Sequence, residues 1–413
     1  AQTIAQFARS TRDATGGPSS NALAVFVYRL MPNGTDFTVA AGRGIAGVNF
    51  AFIGRPAQYH SPASTPDALD QGALQHIGSQ ALEATDGFLR APALPQATHN
   101  AVYADIFGLF VLQHPPAVGW ALLAAAVLLT GFAGWRAGRA TGLTWTSVAR
   151  SAAGGLWLLS AAIVSAGTAR ALAGPVGRRI DAPETYYALL RRLPWMEAGV
   201  GLAILAATLV LLAGPARIGR RAIAAALALL TLLALAIGGV DPLVLGAGAV
   251  AITLTFWPAD AGETRWSGWL GSITTVLVLG AAAQAVAPEA AFLFLSSGLA
   301  AALAAVIATL IDRRLERPSA LAPATLVTIV AGGWVLGQGH GVFLGVGMDL
   351  PGALGLIALL VAMFARPLGP AGADGSRAMA AAAAACLILG CGLSLAARVA
   401  EPASASETSK SDA

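Results

Sequence analysis

The chain has 413 residues, 56% of them hydrophobic and only 11% charged, with a formal net charge of +4 and a mean hydropathy of +0.69. A soluble domain carries about a quarter charged residues, so most of this chain must lie in lipid. The basic balance does not point to nucleic acid, because the arginines are dispersed between apolar segments, where membrane topology accounts for them.

Charge is unevenly spread. Residues 1–116 hold six Arg and seven Asp or Glu, and the remainder holds 19 basic and 14 acidic residues. Four of the five histidines, His60, His76, His99 and His114, also precede residue 117. The sequence therefore divides into a polar head and a membrane body. It begins Ala1-Gln2-Thr3, without an initiator Met, a basic n-region or an apolar h-region, and the expectation is the carboxyl part of a longer protein.

In the head, Ile4, Phe7 and Ala8 against Gln6, Arg9 and Arg12 predict an amphipathic helix over residues 1–12. Gly16-Gly17-Pro18 ends it, and Ser19 and Ser20 offer caps for an element over 20–30 that reads as helix or as strand. Asn33-Gly34 marks a turn, followed by a short helix from Asp36 to about Gly42. The apolar run Gly47-Val48-Asn49-Phe50-Ala51-Phe52-Ile53-Gly54 predicts a buried strand of a parallel sheet, and the loop after it delivers Tyr59 and His60. Asp70 can cap a helix to about Arg90, with Leu74, Ile77, Ala81 and Phe88 at helical spacing. Ala91 to Pro95 reads as a linker, and Tyr103 to Phe110 as an apolar stretch at the membrane entrance.

From Ala117 onward, long uncharged runs alternate with short polar loops: 117–135, 151–169, 198–216, 222–240, 242–259, 266–288, 290–311, 318–348, 350–365 and 378–397. A spanning helix needs about 20 apolar residues. Ten spans are expected, or nine if 242–259 is re-entrant; 318–348 is long enough to include an outer loop. With the head outside, the inner loops carry 12 arginines and the outer loops and tail seven basic residues, which favours a non-cytoplasmic head. The tail after Glu401 is rich in Ser and Ala and is expected to be disordered. Cys386 and Cys391 share one apolar helix and read as small buried hydrophobes.

The runs Leu30-Met31-Pro32-Asn33-Gly34-Thr35-Asp36-Phe37-Thr38, Gly44 to Gly54, and Tyr59-His60-Ser61-Pro62 resemble the M28 family of zinc exopeptidases, in particular its membrane-embedded multi-helix branch. Gln75-His76-Ile77-Gly78 and Tyr103 to Phe110 add to the likeness, which covers roughly residues 20 to 115. The resemblance implies that His60 is a metal ligand of a two-zinc site and that Tyr59 polarises the scissile carbonyl. Asp36 would lie near the substrate pocket. The family usually continues His-Thr-Pro-x-Asp-Thr, whereas Ser64 stands here where that Asp would be, so the hydrogen bond that orients the ligand is expected to be weaker or supplied from elsewhere.

Each of these residues has a plainer reading. Tyr59 also reads as a pocket-wall aromatic, Asp36 as a helix N-cap and His76 as a surface or packing residue. Glu197, Asp241, Glu289, His340 and Asp349 all fall on the outer side, as ordinary loop residues or as an acidic rim facing the head. A two-metal site also needs a bridging carboxylate and a proton-shuttling carboxylate. The head contains no second His at ligand spacing, no His-x-Asp and no Glu-Glu pair.

The expected fold is an α/β peptidase-domain remnant of zinc exopeptidase type followed by an all-α polytopic transmembrane bundle. Its expected parts are 1–95 from the peptidase domain, 96–116 as linker and membrane entrance, 117–398 as the bundle, and 399–413 as the tail. The expected function is a membrane-bound, zinc-dependent aminopeptidase acting on peptide substrates, with the lipid bilayer as its other partner. The alternative is a multi-helix transporter or scaffold with a non-catalytic, peptide-binding head.

Overall fold

The structure is a computed structural model and describes residues 1–30, 34–45, 47–59, 62, 64–96, 98–176, 183–257, 264–370 and 372–399. It is mostly helical. The head contains α1 (Gln2–Ser10), α2 (Ala22–Leu30), α3 (Asp36–Gly42) and α4 (Gln71–Leu89), then an antiparallel hairpin of β1 (Val102–Ile106) and β2 (Phe110–His114).

Local chemistry accounts for each head helix. In α1, Phe7 is buried and Gln6 Nε2 reaches the Gly87 carbonyl of α4 at 2.8 Å. The ambiguous 20–30 segment is a helix, capped by Asn21, whose Oδ1 accepts from the Ala24 N–H at 2.6 Å. The two serines are used elsewhere: Ser19 N–H donates to Gln80 Oε1 at 3.0 Å, and the Ser20 carbonyl accepts from the Asp105 N–H at 3.0 Å. Asp70 caps α4 as expected, accepting from the Ala73 N–H at 2.9 Å. Gly17 has φ +71°, and a Cβ there would overlap the Gly108 carbonyl at the hairpin turn, so only glycine fits.

The expected strand over 47–53 is not formed. Residues 47–53 have no regular secondary structure, and Phe52 and Ile53 are more than half exposed. A parallel strand is stable only with neighbours on its edges and cover on both faces. Among the described residues the only sheet is the two-stranded hairpin. The segment is held instead by Phe37, packed over Gly47, and by Phe7 against Phe50 at 6.2 Å between ring centroids.

The body comprises α5 (Val118–Thr141), α6 (Trp145–Ala173), α7 (Pro183–Ala213), the single turn α8 (Pro215–Ile218), α9 (Arg220–Gly238), α10 (Pro242–Thr255), α11 (Arg265–Val286), α12 (Pro288–Ile311), α13 (Ala322–Val346), α14 (Leu354–Ala365) and α15 (Ala373–Val399). Counting the short helical turns at the ends of α13 and α14, nine of the described helices are long and apolar enough to cross a membrane, whereas α10 has 14 residues. The expected outer loop within 318–348 is absent, since α13 runs unbroken to Val346.

Packing settles the direction of α10. At its start Val244 touches Gly167, near the head-side end of α6, and at its finish Thr255 accepts from Trp157 Nε1 at 2.9 Å, deeper along α6. The next helix, α11, begins on the opposite face, with Gly271 against Ser151 and Ala152 and Thr275 bonded to the Ala152 carbonyl. The described helices on either side of residues 258–263 thus start on opposite faces of the bundle, α10 on the head side and α11 on the other.

The helices approach closely at small residues. A Cβ on Gly271 would stand 2.7 Å from the Ala152 backbone nitrogen, and one on Gly390 2.7 Å from the Gly199 carbonyl. Between apolar helices in lipid such close backbone contact is a main source of association. Replacing Gly271 by Leu should therefore destabilise the bundle by about 1–3 kcal/mol or more through overpacking. Gly333→Leu should be mild, since nothing lies within 4 Å of its Cβ position. Thermal unfolding in detergent measures both; equal midpoints would contradict the α6–α11 contact.

Candidate functional site

The loop carrying Tyr59 is closed by one arginine. Arg55 adopts a left-handed backbone conformation (φ 53°) and starts the short helical turn Pro56–Gln58. Its guanidinium donates from Nη1 to the Ala68 carbonyl at 2.9 Å and from Nη2 to Asp70 Oδ2 at 2.8 Å. Asp70 therefore caps α4 with one oxygen and ties the loop with the other. Gln58 Nε2 reaches the same Ala68 carbonyl at 3.4 Å.

This loop sits against the bundle. The Tyr59 ring packs on Tyr187 of α7, with centroids 6.5 Å apart and planes at 56°, and Tyr187 makes an edge contact with Tyr186 at 5.6 Å. Tyr59 is 51% exposed, so it is held on one side by an aromatic wall and open on the other.

His60 lies outside the described residues, as do Met31, Pro32 and Asn33 of the motif that precedes Asp36. Asp36 is described and exposed, but it is not the N-cap. That position is Thr35, whose N–H donates to Thr38 Oγ1 at 2.9 Å in a capping box. Asp36 falls in the first turn of α3, where a carboxylate is favoured by the helix dipole. Tyr28 Oη lies 3.0 Å from Thr35 Oγ1 and 2.9 Å from Thr38 Oγ1. These hydroxyls hold the phenol below its ordinary pKa.

His76 is a packing residue. Ser19 N–H donates to Gln80 Oε1, and His76 Nε2 lies 2.8 Å from Gln80 Nε2 and 3.1 Å from the Gly17 carbonyl, so the ring ties α4 to the turn that follows α1. No group of three or more His, Cys, Asp or Glu stands together among the described residues, so these alone do not fit a metal ion.

Sequence reasoning missed Arg55 and the Tyr186–Tyr187 pair. The Arg-Pro step after Gly54 and the paired tyrosines at the start of an apolar helix were the available signals, but their juxtaposition spans more than a hundred residues of sequence. Asp70 is held below its ordinary pKa of 3.8, first by the Ala73 N–H and then by Arg55. A depressed carboxylate stabilises the fold above its unfolded pKa, and that contribution is lost as pH falls through the folded value. Amide protection factors, which are corrected for the intrinsic pH dependence of exchange, should therefore hold at neutral pH for Arg55–Tyr59 and Ala68–Ala73 and fall only below about pH 4. Arg55→Met should quicken exchange at neutral pH and weaken the acid transition; an unchanged profile would contradict the strap.

Residues 1–85 match the model of peptidase family M28. Endoplasmic reticulum metallopeptidase 1 of Homo sapiens is 30% identical over 100 residues, a stretch that covers 23% of this chain and 11% of that protein. The chain thus spans about a tenth of the length of the curated relative it matches. No solved structure matches the chain. The similarity to a peptidase falls on the part of the head that contains the Arg55–Asp70 strap and Tyr59, and it precedes a body with nine described helices of membrane-crossing length.

Proposed function

We propose that the protein is a multi-pass membrane hydrolase of peptide bonds, a zinc-dependent aminopeptidase of M28 type whose head lies on the non-cytoplasmic side. The observation that carries this reading is the M28 match over residues 1–85, which coincides with a loop braced by Arg55 and Asp70 and packed on α7. The bundle then serves as the support on which the site is built.

In this reading His60 is a metal ligand, Tyr59 donates a hydrogen bond to the scissile carbonyl oxygen, and Asp36 contributes to the substrate pocket. Two zinc ions need further nitrogen and oxygen ligands, so activity belongs to a protein that also supplies them. Tyr59 has the features its role asks for: a ring immobilised against Tyr187 and a half-open face toward solvent. A positioned donor of this kind acts where negative charge develops in the transition state.

The variants separate the roles. His60→Ala should lower bound zinc and aminoacyl-amide hydrolysis together, with helix content unchanged. Tyr59→Phe should keep the metal while kcat falls about 10²–10³-fold, the usual loss for one donor to a developing oxyanion. Full zinc stoichiometry and turnover in the His60 variant would remove that residue from the site.

Orientation has its own experiment. The inner-loop arginines predict that a cysteine at Arg314 is shielded from a membrane-impermeant reagent in intact cells and that one at Gly34 is labelled. The reverse pattern would put the head in the cytoplasm.

A further inference from the structure

The hairpin of β1 and β2 lies across α12 and α13, where the head meets the body. Val102 and Ala104 pack on Phe292, and the Trp334 indole N–H donates to the Asp105 carbonyl at 3.0 Å. Beneath the hairpin turn is a cleft of about 200 Å³ bounded mainly by Phe107, Leu112, Phe292, Val330, Ala331 and Trp334. Two serines complete its wall, and one of them, Ser296, donates its hydroxyl back to the Phe292 carbonyl at 2.7 Å.

The level of this cleft is fixed by its helices. Ser296 is eight residues past Pro288, the first residue of α12, which puts it about 12 Å along a helix that crosses the membrane. His114, at the end of β2, is joined through Pro115 and Pro116 to α5. There Trp120, half exposed near the helix start, has the place of an interfacial aromatic. Exposed apolar residues continue from the cleft along both helices. Val330 is exposed on α13 beside Leu326 and Ile329, and Leu303 and Ile307 are exposed on α12.

Two features of the hairpin suit hydrocarbon. Its turn places Phe107 at φ 52° and leaves it 54% exposed. Bulky residues rarely hold that conformation, so an aromatic there is a costly choice unless its ring is needed. The β1 edge beside α13 is also sealed at Asp105, whose N–H goes to the Ser20 carbonyl and whose carbonyl takes the Trp334 N–H. Unpaired backbone groups are what hydrocarbon does not tolerate.

We propose that this cleft holds an acyl chain of a lipid in the head-side leaflet. The hairpin turn, with Phe107, Leu109 and Phe110 exposed, enters that leaflet as a wedge and fixes the height of the head above the bilayer. A peptide would require polar groups to meet its backbone amides, and this wall offers almost none. The proposal stands apart from the peptidase reading, because neither the cleft nor its test depends on activity.

The experiment uses the full chain reconstituted in phosphatidylcholine vesicles, with or without bromine in the upper part of the acyl chains. Brominated lipid should quench most of the emission component that Trp334→Phe removes, and aqueous acrylamide should quench little of it. Leu109→Trp, on the exposed turn, should add a component that brominated lipid also quenches. Ala331→Phe, which fills the cleft, should lower the quenching of Trp334 while leaving that of the Leu109→Trp reporter. Quenching of both reporters by acrylamide rather than by brominated lipid would overturn the proposal in favour of an aqueous groove. Undiminished bromine quenching of Trp334 in Ala331→Phe would overturn the cleft as the lipid's seat.

Discussion

The architecture rests on helices whose backbones come close enough for small side chains to interlock. Helix α6 shows the constraint most clearly. It is buried on most sides and offers many small residues, onto which Val244 of α10, Leu211 of α7 and Thr275 of α11 close at Gly167, Gly154 and Gly155. In lipid, burying a leucine against another helix gains little over leaving it among acyl chains, so contact distance and hydrogen bonding decide which helices pair. Thr275 therefore bonds across to the Ala152 carbonyl, Thr168 to the Leu230 carbonyl, and Trp157 to Thr255. Each bond crosses a helix boundary and satisfies a group that has no water to turn to.

The same constraint gives the arginines a second task. At the face away from the head, Arg136 donates to the Thr309 carbonyl and Arg265 to the Leu315 carbonyl, and Arg366 donates to the Leu211 carbonyl. These acceptors lie at or near helix C-termini, where carbonyls are left without intrahelical partners and the dipole favours a cation. At the head face, Arg170 is 1% exposed and bonds the Met348, Gly174 and Pro175 carbonyls, pinning the segments that follow α6 and α13. Read only as topology signals, these side chains would be interchangeable with lysine. At Arg170 the structure uses the forked guanidinium itself, which reaches three carbonyls at once.

The membrane body was legible in the sequence because the hydrocarbon imposes a length and a composition on every span, and both can be read locally. Asp70 and Asp36 were legible as helix starts for the same reason, although Thr35 takes the cap that Asp36 was expected to supply. The segment over 47–53 was misread because its apolar pattern describes a strand inside a sheet, and a pattern cannot supply the neighbouring strands. The hairpin was passed over as an apolar stretch, even though Gly108 between two five-residue runs is a turn signal. For the candidate site, motif spacing singled out Tyr59 and His60, but nothing local could reveal that Tyr59 rests on Tyr187. That contact belongs to tertiary packing alone.

The short helix α10 has a consequence for the surrounding lipid. Its 14 residues make a rod of about 21 Å, beside a hydrocarbon layer of about 30 Å. Its end carries Phe256 and Trp257, both half exposed and aromatic, as residues at a headgroup boundary are. A layer of that thickness would have to dip toward α10 on the side away from the head, bringing headgroups and water inward along one flank of the protein. Such a dimple costs a fraction of a kcal/mol per Å of mismatch. It would cost least in a thin, fluid bilayer, so a helix of this length would favour a thinner membrane than its neighbours do.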